Sequence, residues 1–313
     1  MHRRFLILSI FLALGATALF VSRTDATPET IEKIAPGVWF REGDLKNLGH
    51  CNNIVIEMKD YLIVVDANFP SGARATMADV KRISSKPVKY VFDTHHHGDH
   101  SYGNAVWTDA GASTLAYVGV AEEMKRYEPA RWQQSAKERK DVADMHQPSV
   151  QPPQQTFRDK LFVLDDGTRR VEFHFFGWAH TRGDGFVYLP HEQILCTGDA
   201  VVNGPYNYTG DGNIGNWPNV VRAAQKLKVK TVLPGHGTPG GPEVMEGQAQ
   251  FMLELRRAVQ SAVDQNRKPA DLAALHLPDS VKNWVGDGLA AQAKDAYEEI
   301  TQGKPHGEIL GGR

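Results

Sequence analysis

The chain has 313 residues, enough to bury a full core as one large domain or two. Its 41% hydrophobic and 23% charged content are those of an ordinary globular protein. A formal net charge of −2 gives no electrostatic footing for nucleic acid, and the Lys/Arg-containing stretch 122–141 interleaves acids with bases, as a solvated helix and linker does.

The first residues read as a targeting segment. "MHRR" is a positive start, "FLILSIFLALGATALFV" (5–21) an apolar run, and "TDA" (24–26) a small-residue cleavage site after Ala26. Residues 1–26 are therefore expected to be a signal peptide, with an uncleaved N-terminal anchor as the other reading. Either way the remainder is exported, periplasmic or secreted, with no further membrane span expected. "IEKIAPGVWFREG" and "CNNIVIEMKDYLIVVDA" read as short strands with β-branched alternation. Residues 71–84 read as a helix, and "VKYVFDT" (88–94) as a buried strand. A second helix is expected over 118–141, then a polar Pro/Gln-rich connector at 147–155. Strands resume in "KLFVL", "RRVEFHFFG", "GFVYLP" and "QILCTGD"; 219–227 is helical, "VKTVLPGHG" (229–237) is a strand, and the chain is helical from Pro242. Two comparable halves of strands and helices imply an α/β protein with two packed sheets and helices outside. One domain is expected over 27–245, with a helical extension, 246–313, packed on it. The two cysteines, Cys51 and Cys196, read as buried small hydrophobes, their pairing left open.

Four of the 13 histidines fall in "DTHHHGDH", residues 93–100. Residues two apart on an extended strand point the same way, so His95 and His97 project together. Gly98 permits a sharp turn, after which Asp99 and His100 face another direction. One metal can take His95 and His97 and a second Asp99 and His100, and zinc favours imidazole with carboxylate. Two ions need more ligands. His180 in "GWAHTRGD", Asp199 in "LCTGDA" and His236 in "LPGHGTPGG" each follow a strand beside glycine, where a side chain reaches a cleft. His96 lies between two ligand positions and is expected to point away; His50, His146, His174, His191, His276 and His306 read as surface or satisfied core residues.

In motif order, "LIVVDA", "THHHGDH", "GWAHTRGD", "CTGDA" and "PGHG" resemble the metallo-β-lactamase superfamily over roughly residues 35–240. The resemblance implies an αββα four-layer sandwich, here with extra C-terminal helices, and metals at one edge. It implies that His95, His97 and His180 hold one zinc, that Asp99, His100 and His236 hold another, and that Asp199 bridges them. Asp66 matches an aspartate that supports the ligand loop from behind. The implied activity is a hydrolase acting on an ester, lactone, phosphoester or amide-type bond through a metal-bridging hydroxide, with Asp99 as proton acceptor. The charges of such a centre leave about one net positive charge, which favours small-molecule substrates with an anionic group. Two other activities are compatible with the resemblance: a class B β-lactamase, and an iron-dependent oxidoreductase, since nitrogen and oxygen ligands do not separate zinc from iron or manganese. True β-lactamases of this fold generally have another residue at the bridging position, so Asp199 points to the general dizinc hydrolases. Two loops are expected to shape the pocket: residues 42–53, and residues 203–217, whose Tyr206, Tyr208 and Trp217 either bind substrate or pack the loop against the body. Oligomeric state is open.

Overall fold

A computed structural model describes residues 31–44 and 50–303; the expected leader, residues 45–49 of the first pocket loop and His306 lie outside them. From the amino end run strands β1 (Ile31–Ala35), β2 (Val38–Arg41), β3 (Asn53–Glu57) and β4 (Leu62–Val65), helix α1 (Pro70–Ile83) and strand β5 (Val88–Asp93). Two short helices, α2 (Gly98–Ser101) and α3 (Asn104–Asp109), lead to β6 (Ser113–Tyr117), the long α4 (Val118–Glu138), the single turn α5 (Lys140–Ala143) and β7 (Gln155–Phe157). The second half comprises β8 (Leu161–Asp165), β9 (Arg170–Phe175), β10 (Gly185–Leu189), β11 (Ile194–Cys196), α6 (Trp217–Ala224), β12 (Thr231–Leu233), α7 (Glu243–Asp264) and α8 (Leu289–Gln302).

The first sheet runs β1 to β7 in sequence order, and the second runs β12-β11-β10-β9-β8. Alternation along the strands explains the layers. Ile54, Ile56, Ile63 and Val65 point inward with Phe92, Phe173, Val187 and Leu189, forming the core between the sheets. The intervening Val55, Leu62 and Val64 point outward against α1 and α3. Phe186, Tyr188, Leu195 and Val232 likewise turn outward to meet α6, α7 and α8. Both faces of both sheets are thus covered, giving the four layers expected. Each large apolar side chain buried between the sheets contributes about 1.5–3 kcal/mol; Phe92 and Phe173, with ring centroids 4.7 Å apart, sit at the centre.

Three details depart from the sequence reading. β6 and β7 are strands where none was expected, and Gln155, assigned to the connector, begins β7. They extend the first sheet by parallel pairing, as β4–β5 does. The helical extension starts at Glu243, so a boundary at 245/246 falls inside its first turn. The stretch 122–141 is more than a solvated helix: α4 buries Glu123, Glu128 and Trp132. Cys51 and Cys196 are both free and buried. No helix among the described residues is long and apolar enough to cross a membrane.

Candidate functional site

Parallel pairing brings the chemistry to one edge. Asp66 follows β4 and residues 95–100 follow β5, two neighbouring parallel strands whose carboxyl ends point the same way. Asp199 follows β11 and His236 follows β12, the parallel pair of the other sheet. His180 comes from the connection between β9 and β10. Ligands of open α/β sheets collect outside such carboxyl ends.

Three imidazoles converge first. His97 Nδ1 lies 3.1 Å from His95 Nε2 and 2.9 Å from His180 Nε2. The outer nitrogens are spoken for. His97 Nε2 donates to Asp211 Oδ2 at 2.9 Å, His180 Nδ1 to the Tyr208 carbonyl at 3.0 Å, and His95 Nδ1 meets Thr94 Oγ1 at 3.1 Å. With those protons placed outward, three lone pairs face one point. Asp211 is itself clamped by Arg131, whose guanidinium donates to both carboxylate oxygens at 2.6 and 2.9 Å.

A second group gathers beside it. His236 Nε2 lies 3.0 Å from Asp99 Oδ2 and 3.4 Å from His100 Nε2. His100 Nδ1 donates to Asp66 Oδ2 at 2.8 Å, and Asp66 Oδ1 accepts from the Thr94 N–H at 2.8 Å. Asp66 therefore braces both His100 and the start of the histidine loop, from a left-handed backbone (φ 67°) unusual for a non-glycine residue. The change of direction between His97 and Asp99 is made by the turn of α2, which begins at Gly98, rather than by a left-handed glycine.

Asp199 stands between the groups. Its Oδ2 lies 3.3 Å from His236, 3.8 Å from His180 and 4.0 Å from His95, and its Oδ1 is 3.3 Å from His100. Gly235 makes room for it, since a Cβ there would fall 2.1 Å from Asp199 Oδ1.

The electrostatics divide in the same way. Burial, then the neighbouring imidazoles His100, His180 and His97, hold His95 well below the usual histidine range; burial and His97 bring His180 down to about 3. In the second group burial also opposes charge, but Asp199 and Asp99 outweigh it, raising His100 well above its ordinary value and His236 to about 9. Asp99 and Asp199 are correspondingly held well below the carboxylate range, against their burial, by His100 and His236.

This donor set fits a pair of cations. Three neutral imidazole nitrogens within hydrogen-bond distance of one another have no mutual proton to share and are compatible with a shared cation. Asp199 Oδ1 is buried with no hydrogen-bond partner. Nitrogen with carboxylate oxygen is the zinc-type donor chemistry, and the oriented outer nitrogens are its usual accompaniment.

A cleft of about 420 Å³ opens over the site, with His97, Asp99, Asp199 and His236 at its floor. Tyr206 and Tyr208, 40% and 51% exposed, stand on its wall. Trp217 does not. It is fully buried, its Nε1 donates to the Ala200 carbonyl at 2.7 Å, and its ring packs 5.5 Å from that of His180. The expectation that it faces substrate is corrected: it supports a site residue from inside. His96 points away from the convergence, but it is buried, stacked on Tyr127 and 3.5 Å from Asp211. The sequence reading missed Asp211, Arg131 and Thr94. Asp211 lies in the expected pocket loop 203–217, yet nothing in spacing ties it to His97, 114 positions away.

Comparisons with known proteins follow the same lines. The family model described as metallo-beta-lactamase superfamily matches residues 47–236. A metallo-beta-lactamase type 2 of Bacteroides fragilis is 31% identical over 108 residues, 32% of this chain and 42% of that protein. The chain thus spans about two fifths of the length of that curated relative. The crystal structure of the DIM-1 metallo-beta-lactamase superposes with a TM-score of 0.59 at 20% identity, over 72% of this chain and 98% of that one. A metallo-beta-lactamase from Pontibacter korlensis gives 0.58 at 21% identity, over 72% and 98%. Likeness at these identities speaks for the fold alone.

Proposed function

The chain belongs to the metallo-β-lactamase superfamily, and we propose from its site that it is an exported, dizinc hydrolase of small anionic substrates with an ester, lactone, phosphoester or amide-type bond. The observation that carries this reading is the position of Asp199, within 4.0 Å of His95, His100, His180 and His236, between two donor groups that each have the composition of a zinc site. His95, His97 and His180 would hold one ion, Asp99, His100 and His236 the other, and Asp199 both. Such a pair, when bound, would supply Lewis acidity and a water acidified to about 7. Asp99, whose side chain is 22% exposed at the cleft floor, would accept the water proton on its carboxylate. Asp66, Asp211 and the Tyr208 carbonyl keep His100, His97 and His180 turned inward. Tyr206 and Tyr208 bound the open side of the cleft and orient what enters it.

A second reading, β-lactam hydrolysis, is favoured by the names of the relatives. It is separated from the first by measurement: metal analysis of protein purified without added metal, followed by a panel of β-lactam, lactone, ester and phosphoester substrates. Two zinc equivalents with turnover on the panel support the proposal. Full activity in Asp199→Ala, or iron with oxygen or electron chemistry in place of hydrolysis, would overturn it.

A further inference from the structure

The family match ends at residue 236, yet α7 and α8 lie beyond it and touch the site loop at several points. On α8, Glu299 accepts the backbone N–H of Ile214 through Oε2 and that of Gly215 through Oε1, both at 2.8 Å. Gly215 leaves it room, because a Cβ there would stand 2.9 Å from Glu299 Oε1. Arg256 on α7 donates to the same oxygen at 2.9 Å. One turn earlier Asp295 accepts from Thr209 Oγ1 at 2.6 Å, and one further turn back Gln292 donates to the Asn207 carbonyl at 2.6 Å. Gln248 on α7 completes the set, donating to Asn207 Oδ1 at 2.7 Å. The segment 207–215 is therefore fastened near its start and at its end by α7 and α8, while Arg131 of α4 holds Asp211 between them. Between those fastenings lie the Tyr208 carbonyl that turns His180 and the Asp211 carboxylate that turns His97.

We propose that the C-terminal helices are a built-in clamp for the first metal site, with Glu299 as its principal positioning residue. The inference rests on the dinuclear reading above. It follows from the geometry that the clamp serves the two groups unequally. His97 and His180 depend on segment 207–215 for their orientation, whereas His100 depends on Asp66, at the end of β4. Loosening the clamp widens the angular range of two ligands in the first group and leaves the second group's support in place. An outer hydrogen-bond partner of a metal ligand typically sets affinity by 10–100-fold, so the loss should sit at the low end, about tenfold.

The test uses the full-length protein, zinc competition against a chelator, and hydrogen exchange of the loop. The first zinc is read in a His236→Ala background and the second in a His180→Ala background. Glu299→Ala should speed exchange across 207–215 and weaken the first zinc about tenfold while the second stays within about twofold. Glu299→Gln, which keeps one acceptor oxygen, should fall between wild type and Glu299→Ala. Glu298→Ala, on the solvent side of the same helix and paired with Lys294, should change neither. Should Glu299→Ala fail to fold, Thr209→Val removes a single clamp bond and carries the same expectation. Unchanged affinity at both sites, or equal loss at both, would overturn the clamp while leaving the dinuclear reading standing. Fewer than two zinc ions on the wild-type chain would remove that reading and the clamp together.

Discussion

The two donor groups sit side by side but are built differently. The first, His95, His97 and His180, is all nitrogen, and its imidazoles are driven proton-free by burial and by neighbouring imidazoles. The second, Asp99, His100 and His236, mixes in carboxylates that pull its imidazoles toward the protonated form. Their supports differ as well. Loop residues from distant parts of the chain orient His97 and His180 in the first, while Asp66 at the end of a core strand orients His100 in the second. The lesson is that one fold edge holds a group poised as neutral bases beside another whose imidazoles carry protons that a cation would have to displace.

Breaking the residue shared by both groups has the largest expected effect. Asp199→Ala should lower kcat/KM by 10²-fold or more with the thermal transition little changed, because its carboxylate faces both groups rather than the core. A variant with near-wild-type turnover would erase the distinction between a bridged pair and two independent sites. Next come the supports. Asp211→Ala should weaken the first zinc, and Asp66→Ala the second, each by about 10–100-fold in chelator competition. Equal loss of both ions in both variants would mean that the groups do not act separately.

Acidity sharpens the comparison further. His236, raised to about 9, holds a proton at neutral pH that a cation must displace, and His100 is raised in the same sense. Affinity at the second group should therefore fall as pH falls below about 9, up to about tenfold per pH unit for each displaced proton. His180, lowered to about 3, carries no proton to displace, so the first zinc should hold nearly constant from pH 8 to 6. Zinc titrations at several pH values check this; parallel weakening of both ions would contradict it. Trp217→Ala should act on stability before chemistry, costing about 3–5 kcal/mol for its buried ring, read as a lowered denaturation midpoint. Smallest is Tyr206→Ala at the cleft wall, expected to raise KM a few-fold with kcat nearly unchanged.

Much of this was legible in the chain because the candidate ligand residues fall in loops that follow strands, and strands announce themselves by alternation. His95, His97, Asp99, His100, His180, Asp199 and His236 all converge at one sheet edge. What stayed hidden has physical reasons. Asp211 and Arg131 meet across 80 positions, and Glu299 reaches Ile214 across 85, with no periodicity to link them. β6 and β7 are short strands at the far edge of the first sheet. Trp217 was misplaced although a signal existed. Extending the helix expected at 219 back to 217 puts Trp217, Val220, Val221 and Ala224 at helical spacing, and all four are buried.

Titration of metal-free, full-length protein with zinc tests the central claim most directly. Two equivalents should bind, with one lost in His180→Ala and the other in His236→Ala. A wild-type stoichiometry of one or none, or two ions retained in both variants, would contradict the convergence of these side chains on a metal pair.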